Sequence, residues 1–152
     1  LLDDQKRNVL ISDLAVPRAS RWILIVEDNP DDERLARRVI SMINRPECLK
    51  TAQDGEEALK ILQTEEDTPT LILLDLKLPR LSGVEVLMAI KDDPRLTVVP
   101  VVILTSSDEK SDRSACYELG CNAFVRKPMD YELYIKELTI MLQFWLDVNL
   151  TA

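Results

Sequence analysis

Short unbroken apolar runs alternate along this chain with stretches whose apolar positions recur at helical spacing. The first run, Trp22 to Val26, stops abruptly at Glu27 and Asp28. A run this short and wholly apolar suits a strand buried on both faces, as in a parallel sheet. Pro30 then opens a helical pattern carried by Leu35, Val39, Ile40 and Ile43. Residues 48–52 form a weaker strand candidate, broken by Asp54-Gly55, and Ala58, Leu59 and Leu62 mark a second helix. Leu71 to Leu74 is another buried-strand run, ending in Asp75. Pro79 and Gly83 punctuate the loop that follows, and Val84, Leu87, Met88 and Lys91 mark a third helix. Val98 to Leu104 runs into Thr105-Ser106-Ser107; a fourth helix covers 109–118 and stops at Gly120. Cys121 to Val125 is the last strand, before Lys127-Pro128. A final helix starts at Asp130, which suits an N-cap, and runs to about Leu146. Five strands alternating with five helices predict right-handed crossovers and an α/β fold: a doubly wound, five-stranded parallel sheet covered on both faces.

Residues 1–20 show weak periodicity and are expected to form an N-terminal extension or arm. Their charges cancel, so the net charge of -8 sits on residues 21–152. A phosphate-backbone binder needs a basic surface, so nucleic acid is not an expected partner. No apolar run approaches membrane-spanning length, and the first residues lack the basic flank and apolar core of a signal peptide. The three cysteines, Cys48, Cys116 and Cys121, are odd in number and form no CxxC pair. Disulfides and structural zinc are therefore not expected, and buried thiols in a reducing cytoplasm are. Histidine is absent. That removes histidine catalysis, histidine metal sites and a role as the histidine carrier of a phosphorelay.

In an open parallel α/β sheet, function gathers at the carboxyl ends of the strands. Here those ends carry Glu27 and Asp28, Asp75, Thr105 and Lys127. Each taken alone is as well read as a solvated loop residue; four occupied strand ends together point to a site. Three clustered carboxylates repel one another unless a cation joins them. Mg2+ is the natural choice: hard, octahedral, and retaining water positions for a phosphoryl group. A calcium or purely structural ion is the alternative, although no EF-hand loop is present. Lys127 can partner Asp75 at rest and a phosphoryl oxygen later, and Thr105 can donate a hydrogen bond to that oxygen. A carboxylate beside such a cation can attack phosphorus to give an acyl phosphate.

The segments ILIVEDNPDD (23–32), LILLDLKLPRLSG (71–83), VVILTSS (101–107) and FVRKPMD (124–130) together resemble the receiver domain of two-component response regulators, the CheY-like fold. The resemblance spans about Arg21 to Leu146. It implies a flavodoxin-like (βα)5 domain with strand order 2-1-3-4-5, a receiver over 21–147 and a tail over 148–152. It further implies that Asp75 accepts the phosphoryl group. Asp28 would ligate Mg2+ directly, Glu27 mainly through water, and the Lys77 backbone carbonyl would be a further ligand; Mn2+ or Ca2+ could take the cation's place. Thr105 would be the switch hydroxyl and Phe124 the switch aromatic, a position often held by tyrosine. Simple core packing is the other reading of Phe124. The bond between Lys127 and Pro128 is often cis in the family. The stretch 91–102 and the Phe144–Leu146 ending are similar to stand-alone regulators, including those paired with phytochrome-type histidine kinases.

No output domain follows the last helix in this sequence, so the expected product is a stand-alone switch of protein–protein contacts in a phosphorelay. It would be phosphorylated by a histidine kinase, a bacteriophytochrome among the candidates, and would act on no substrate but itself. A role as phosphate sink for that kinase is the alternative. The final helix holds too many apolar residues for one core-facing stripe. A homodimer through helix four, strand five and helix five, kinase binding, or docking of the N-terminal arm could cover the excess. Two other classes are weaker. A scaffold with a vestigial site would lack Asp75, Lys127 or Thr105, and a small-molecule phosphotransferase would want an acid where Lys77 stands.

Overall fold

The computed structural model describes residues 21–43 and 49–152. The expected arm over 1–20 and Cys48 lie outside the described residues. Five parallel strands, β1 (Ile23–Val26), β2 (Leu49–Ala52), β3 (Leu71–Leu74), β4 (Val101–Thr105) and β5 (Ala123–Arg126), alternate with five helices. These are α1 (Pro30–Met42), α2 (Gly55–Thr64), α3 (Gly83–Asp92), α4 (Lys110–Glu118) and α5 (Tyr131–Gln143). The strand order is β2-β1-β3-β4-β5, as expected.

Strand alternation sorts the side chains into two cores. Leu24, Val26, Ile72, Leu74, Val101 and Ile103 point to the face covered by α2, α3 and α4. Ile23, Ile25, Leu71, Leu73, Val102 and Leu104 point to the face covered by α1 and α5. β1, β3 and β4 are buried along their whole length, which explains why they read as unbroken apolar runs.

Helix starts follow local capping chemistry. Asn29 caps α1, Asp54 caps α2, Asp130 caps α5, and Ser82 with Glu85 forms a reciprocal capping box on α3. Gly120, at φ 95°, ends the α4 segment in the left-handed region. Two boundaries differ from expectation. β4 begins at Val101 rather than Val98, because 97–99 form turns after α3 and Val98 is 59% exposed. β5 begins at Ala123, since Gly120 to Asn122 are spent on turning the chain; the Asn122 side chain accepts from the Val101 N–H at 2.9 Å.

α5 passes into a single wide π-helical turn at Phe144–Val148. Tyr134, Leu138, Leu142 and Leu146 point into the core, while Leu133, Ile140, Phe144 and Val148 are exposed. The expected surplus of apolar residues on this helix is therefore real. Among the described residues, no helix is long and apolar enough to cross a membrane. The peptide bond between Lys127 and Pro128 is trans, not the cis form that the resemblance suggested.

Candidate phosphoryl-acceptor site at the carboxyl edge

β1 and β3 are paired in register through Val26 and Leu74, so Glu27 and Asp75 emerge side by side one residue later. Their backbones stay within the sheet's pattern: Glu27 N–H donates to the Ala52 carbonyl and Asp75 N–H to that of Val26. By alternation both side chains continue the α1/α5 face. β5 pairs with β4 as far as Arg126 opposite Thr105. Lys127 follows on the α1/α5 parity, anchored by its N–H to the Thr105 carbonyl at 2.7 Å. Thr105 and Phe124 have the opposite parity. Phe124 is half-buried and packs on the α2–α4 core.

Glu27, Asp28 and Asp75 each offer a carboxylate oxygen within 4.8 Å of the others. Glu27 and Asp75 are buried and Asp28 is exposed, so the group opens to solvent on one side. Three hard oxygen donors at this spacing fit a divalent cation that keeps part of its water shell. Lys77 lies where the chain turns away; its N–H donates to Asp75 Oδ1 at 3.3 Å, folding the loop back over that carboxylate. Thr105 is fully buried, and its Oγ1 accepts from the Ser107 N–H at 3.3 Å. Ser107 Oγ in turn donates to Asp112 on α4, linking the hydroxyl loop to that helix.

Lys127 is the cation of the site. Its side chain is only 9% exposed, and Nζ donates to Glu27, to Asp75 Oδ2 at 3.1 Å and to Asp32 Oδ2 at 2.9 Å. Burial disfavours the ammonium, but the bond to Glu27 and the charges of Asp75 and Glu27 outweigh it and hold its pKa above the ordinary lysine value. Burial is also the largest influence on Glu27. Opposed by Lys127 and reinforced by Asp75, it lifts that carboxyl from 4.5 to about 7. Tyr134, buried under the site on α5, has its hydroxyl pKa raised chiefly by burial.

The structure thus brings Glu27, Asp28, Asp75 and Lys127 together as anticipated, with Thr105 at the neighbouring strand end and Lys77 two residues beyond Asp75. It adds Asp32. That residue sits in the first turn of α1, and its side-chain contact with Lys127 spans 95 positions in sequence. Its only local signal was its place in the acidic stretch after Asn29-Pro30. Asn29 Oδ1 accepts from the Asp31 and Asp32 N–H groups, and the Asn29 N–H donates to Glu27 Oε1 at 3.1 Å. One asparagine therefore sets the α1 start against the strand-end glutamate.

Comparison with known proteins agrees with this geometry. The response regulator Rcp1 of Synechocystis sp. is 38% identical over 130 residues, covering 82% of this chain and 88% of that protein. The crystal structure of the phosphorylated cyanobacterial phytochrome response regulator RcpA superposes with a TM-score of 0.82 at 34% identity, covering 86% of this chain and 97% of that one. The Mn2+-bound form of Rcp1 also gives a TM-score of 0.82, at 36% identity, covering 87% of this chain and 99% of that one. Residues 23–139 match the response regulator receiver domain. With a (βα)5 sheet in the expected order and an acidic group and lysine at its carboxyl edge, this chain belongs to the receiver-domain family of response regulators.

Proposed function

We propose that this receiver takes a phosphoryl group onto an Asp75 carboxylate oxygen with Mg2+ as the cation. The observation that carries the reading is the Asp75 carboxylate held 3.1 Å from Lys127 Nζ and within one group with Glu27 and Asp28. In the transfer, the bond from phosphorus to the donor breaks as the bond from phosphorus to Asp75 forms. Mg2+, when bound, neutralises charge on the transferring group and the carboxylates. Glu27, Asp28, Asp75 and the Lys77 carbonyl would hold it. Lys127 exchanges its bond to Asp75 for one to a phosphoryl oxygen, and Thr105 donates to another. Phe124 lies beside Ile103 in the sheet, two residues from Thr105 on the same face; in this reading its ring follows that hydroxyl. The readable change is then a rearranged α4, β5 and α5 surface.

The donor in this reading is a histidine kinase. Solved relatives described as phytochrome or bacteriophytochrome response regulators favour a photoreceptor kinase. The receiver unit is residues 21–147, with 148–152 as a tail, working in the cytoplasm. We read the exposed Leu133, Ile140, Phe144 and Val148 as the seat of a homodimer contact. A single monomer mass by light scattering at micromolar concentration, with and without phosphodonor, would remove that part.

The transfer itself is tested by incubation with Mg2+ and phosphoramidate, followed by intact-mass measurement. The wild type gains a phosphoryl group and Asp75→Asn does not. An unmodified wild type, or equal modification of both, overturns the assignment.

A further inference from the structure

Lys127 has three carboxylate partners, and they are not equivalent. Glu27 and Asp75 belong to the group whose oxygens converge within 4.8 Å; Asp32 does not. A cation held by that group competes for Glu27 and Asp75 and repels the ammonium. Asp32 alone is left outside this competition, on a different element. Its side chain is 19% exposed, its distance to Nζ is 2.9 Å, and its backbone is fixed by the Asn29 cap. Beside the pair, Asp32, Lys127 and Tyr134 line a cavity of about 220 Å3, which leaves the lysine tip room to shift.

We infer that Asp32 is a positioning residue: it keeps the Lys127 ammonium tethered at the site when the other two carboxylates turn to the metal. Lys127 then stays within reach of the incoming phosphoryl group instead of withdrawing to solvent. A salt bridge that merely stabilised α1 would give the same contact but no dependence on the metal. The tether rests on the reading of Asp75 as phosphoryl acceptor, yet its first test does not use phosphorylation.

The lysine side chains are labelled with 15N, and the Lys127 ammonium signal is assigned by its loss in Lys127→Met. Slow proton exchange makes such a signal visible only while the group is held in hydrogen bonds. In the wild type the signal persists after Mg2+ is added to saturation. In Asp32→Asn and Asp32→Ala it is present without metal and disappears with Mg2+; Asp32→Glu restores it. Two neutral variants are used so that a folding failure in one leaves the other to decide. Phosphorylation by phosphoramidate at saturating Mg2+ then slows on the order of tenfold in the neutral variants, a coupling typical of charged residues in contact, and recovers in Asp32→Glu. Persistence of the signal in either folded neutral variant with Mg2+, or its loss from the wild type, overturns the tether. Failure of the wild type to take up phosphate would instead overturn the acceptor assignment, leaving the spectroscopic result to stand by itself.

Discussion

Gly83 packs directly on the backbone of Asp75. A Cβ at position 83 would collide with the Asp75 carbonyl oxygen and stand 2.6 Å from Leu76 Cα. The Gly83 N–H donates to the Leu76 carbonyl at 3.0 Å, so the start of α3 is clamped onto the loop that follows Asp75. Neither contact is with a flexible side-chain tip, so a substitution must move the main chain. Gly83→Ala is expected to destabilise the fold by about 1–3 kcal/mol, the usual range for overpacking. It should also weaken Mg2+ binding, because the displaced segment carries both Asp75 and Lys77. Urea unfolding and calorimetric Mg2+ titration check the two effects; a variant with wild-type values in both would mean that the clamp is loose.

Removing the ammonium has a metal-dependent cost. Lys127→Met leaves buried Glu27 and Asp75 without their cation. Breaking a buried pair from one side costs roughly 3–5 kcal/mol. With excess Mg2+ the carboxylates recover a counter-charge, and much of that loss should return. Urea midpoints with and without Mg2+ should therefore diverge more in the variant than in the wild type. An equal deficit in both conditions would show that Lys127 contributes packing rather than charge.

The raised Glu27 carboxyl makes both stability and metal binding depend on pH. Its folded value of about 7 lies above its ordinary 4.5, so the folded state holds the extra proton between these limits. Its contribution to stability is then fully present below pH 4.5 and is lost as pH rises through 7. The metal-free wild type should lose stability over this window relative to Glu27→Gln, by an amount of order a few kcal/mol. Metal favours the deprotonated form, so Mg2+ affinity should fall as pH drops below 7, with proton release on binding. Calorimetry in two buffers of different ionisation enthalpy measures that release; none at pH 6 would contradict the shift.

Cys116 and Cys121 should be chemically quiet. Both are buried. Burial is the main influence on each, lifting the Cys116 thiol from 9.0 to about 11 and raising Cys121 as well. At pH 7.5 iodoacetamide should leave both unmodified in the native chain and label both after denaturation, read by peptide mass mapping. Rapid native labelling at either position would indicate local opening of the α4–β5 connection.

Much of the sheet was legible because β1, β3 and β4 are buried on both faces and carry no polar residue until they end. Their last apolar residue therefore marks both a boundary and a place in the site. The edge strands were harder. β2 is mostly half-buried, and β5 is flanked by Cys121 and Asn122, whose polarity says little about where pairing starts. Glu27, Asp28, Asp75, Thr105 and Lys127 stood out because strand ends are places where the fold makes charge meaningful. Asp32 did not, because acidic residues in the first turn of a helix are common for purely local reasons. Only the packing of α1 against α5, on one face of the sheet, brings it to Lys127. Likewise Tyr134 belonged to an apolar surplus on α5 until the fold separated its buried stripe from its exposed one.

The in-register pairing of β1, β3, β4 and β5 also bears on how the gene can change. Each strand delivers its working side chain within one or two residues of a paired position. Since side chains alternate, one codon inserted or deleted inside 23–26 or 71–74 would send Glu27 or Asp75 to the opposite face of the sheet. The strands act as a molecular ruler. Length variation, natural or engineered, is confined to the connections at the far edge, and a peptide tag or sensor module should be spliced there.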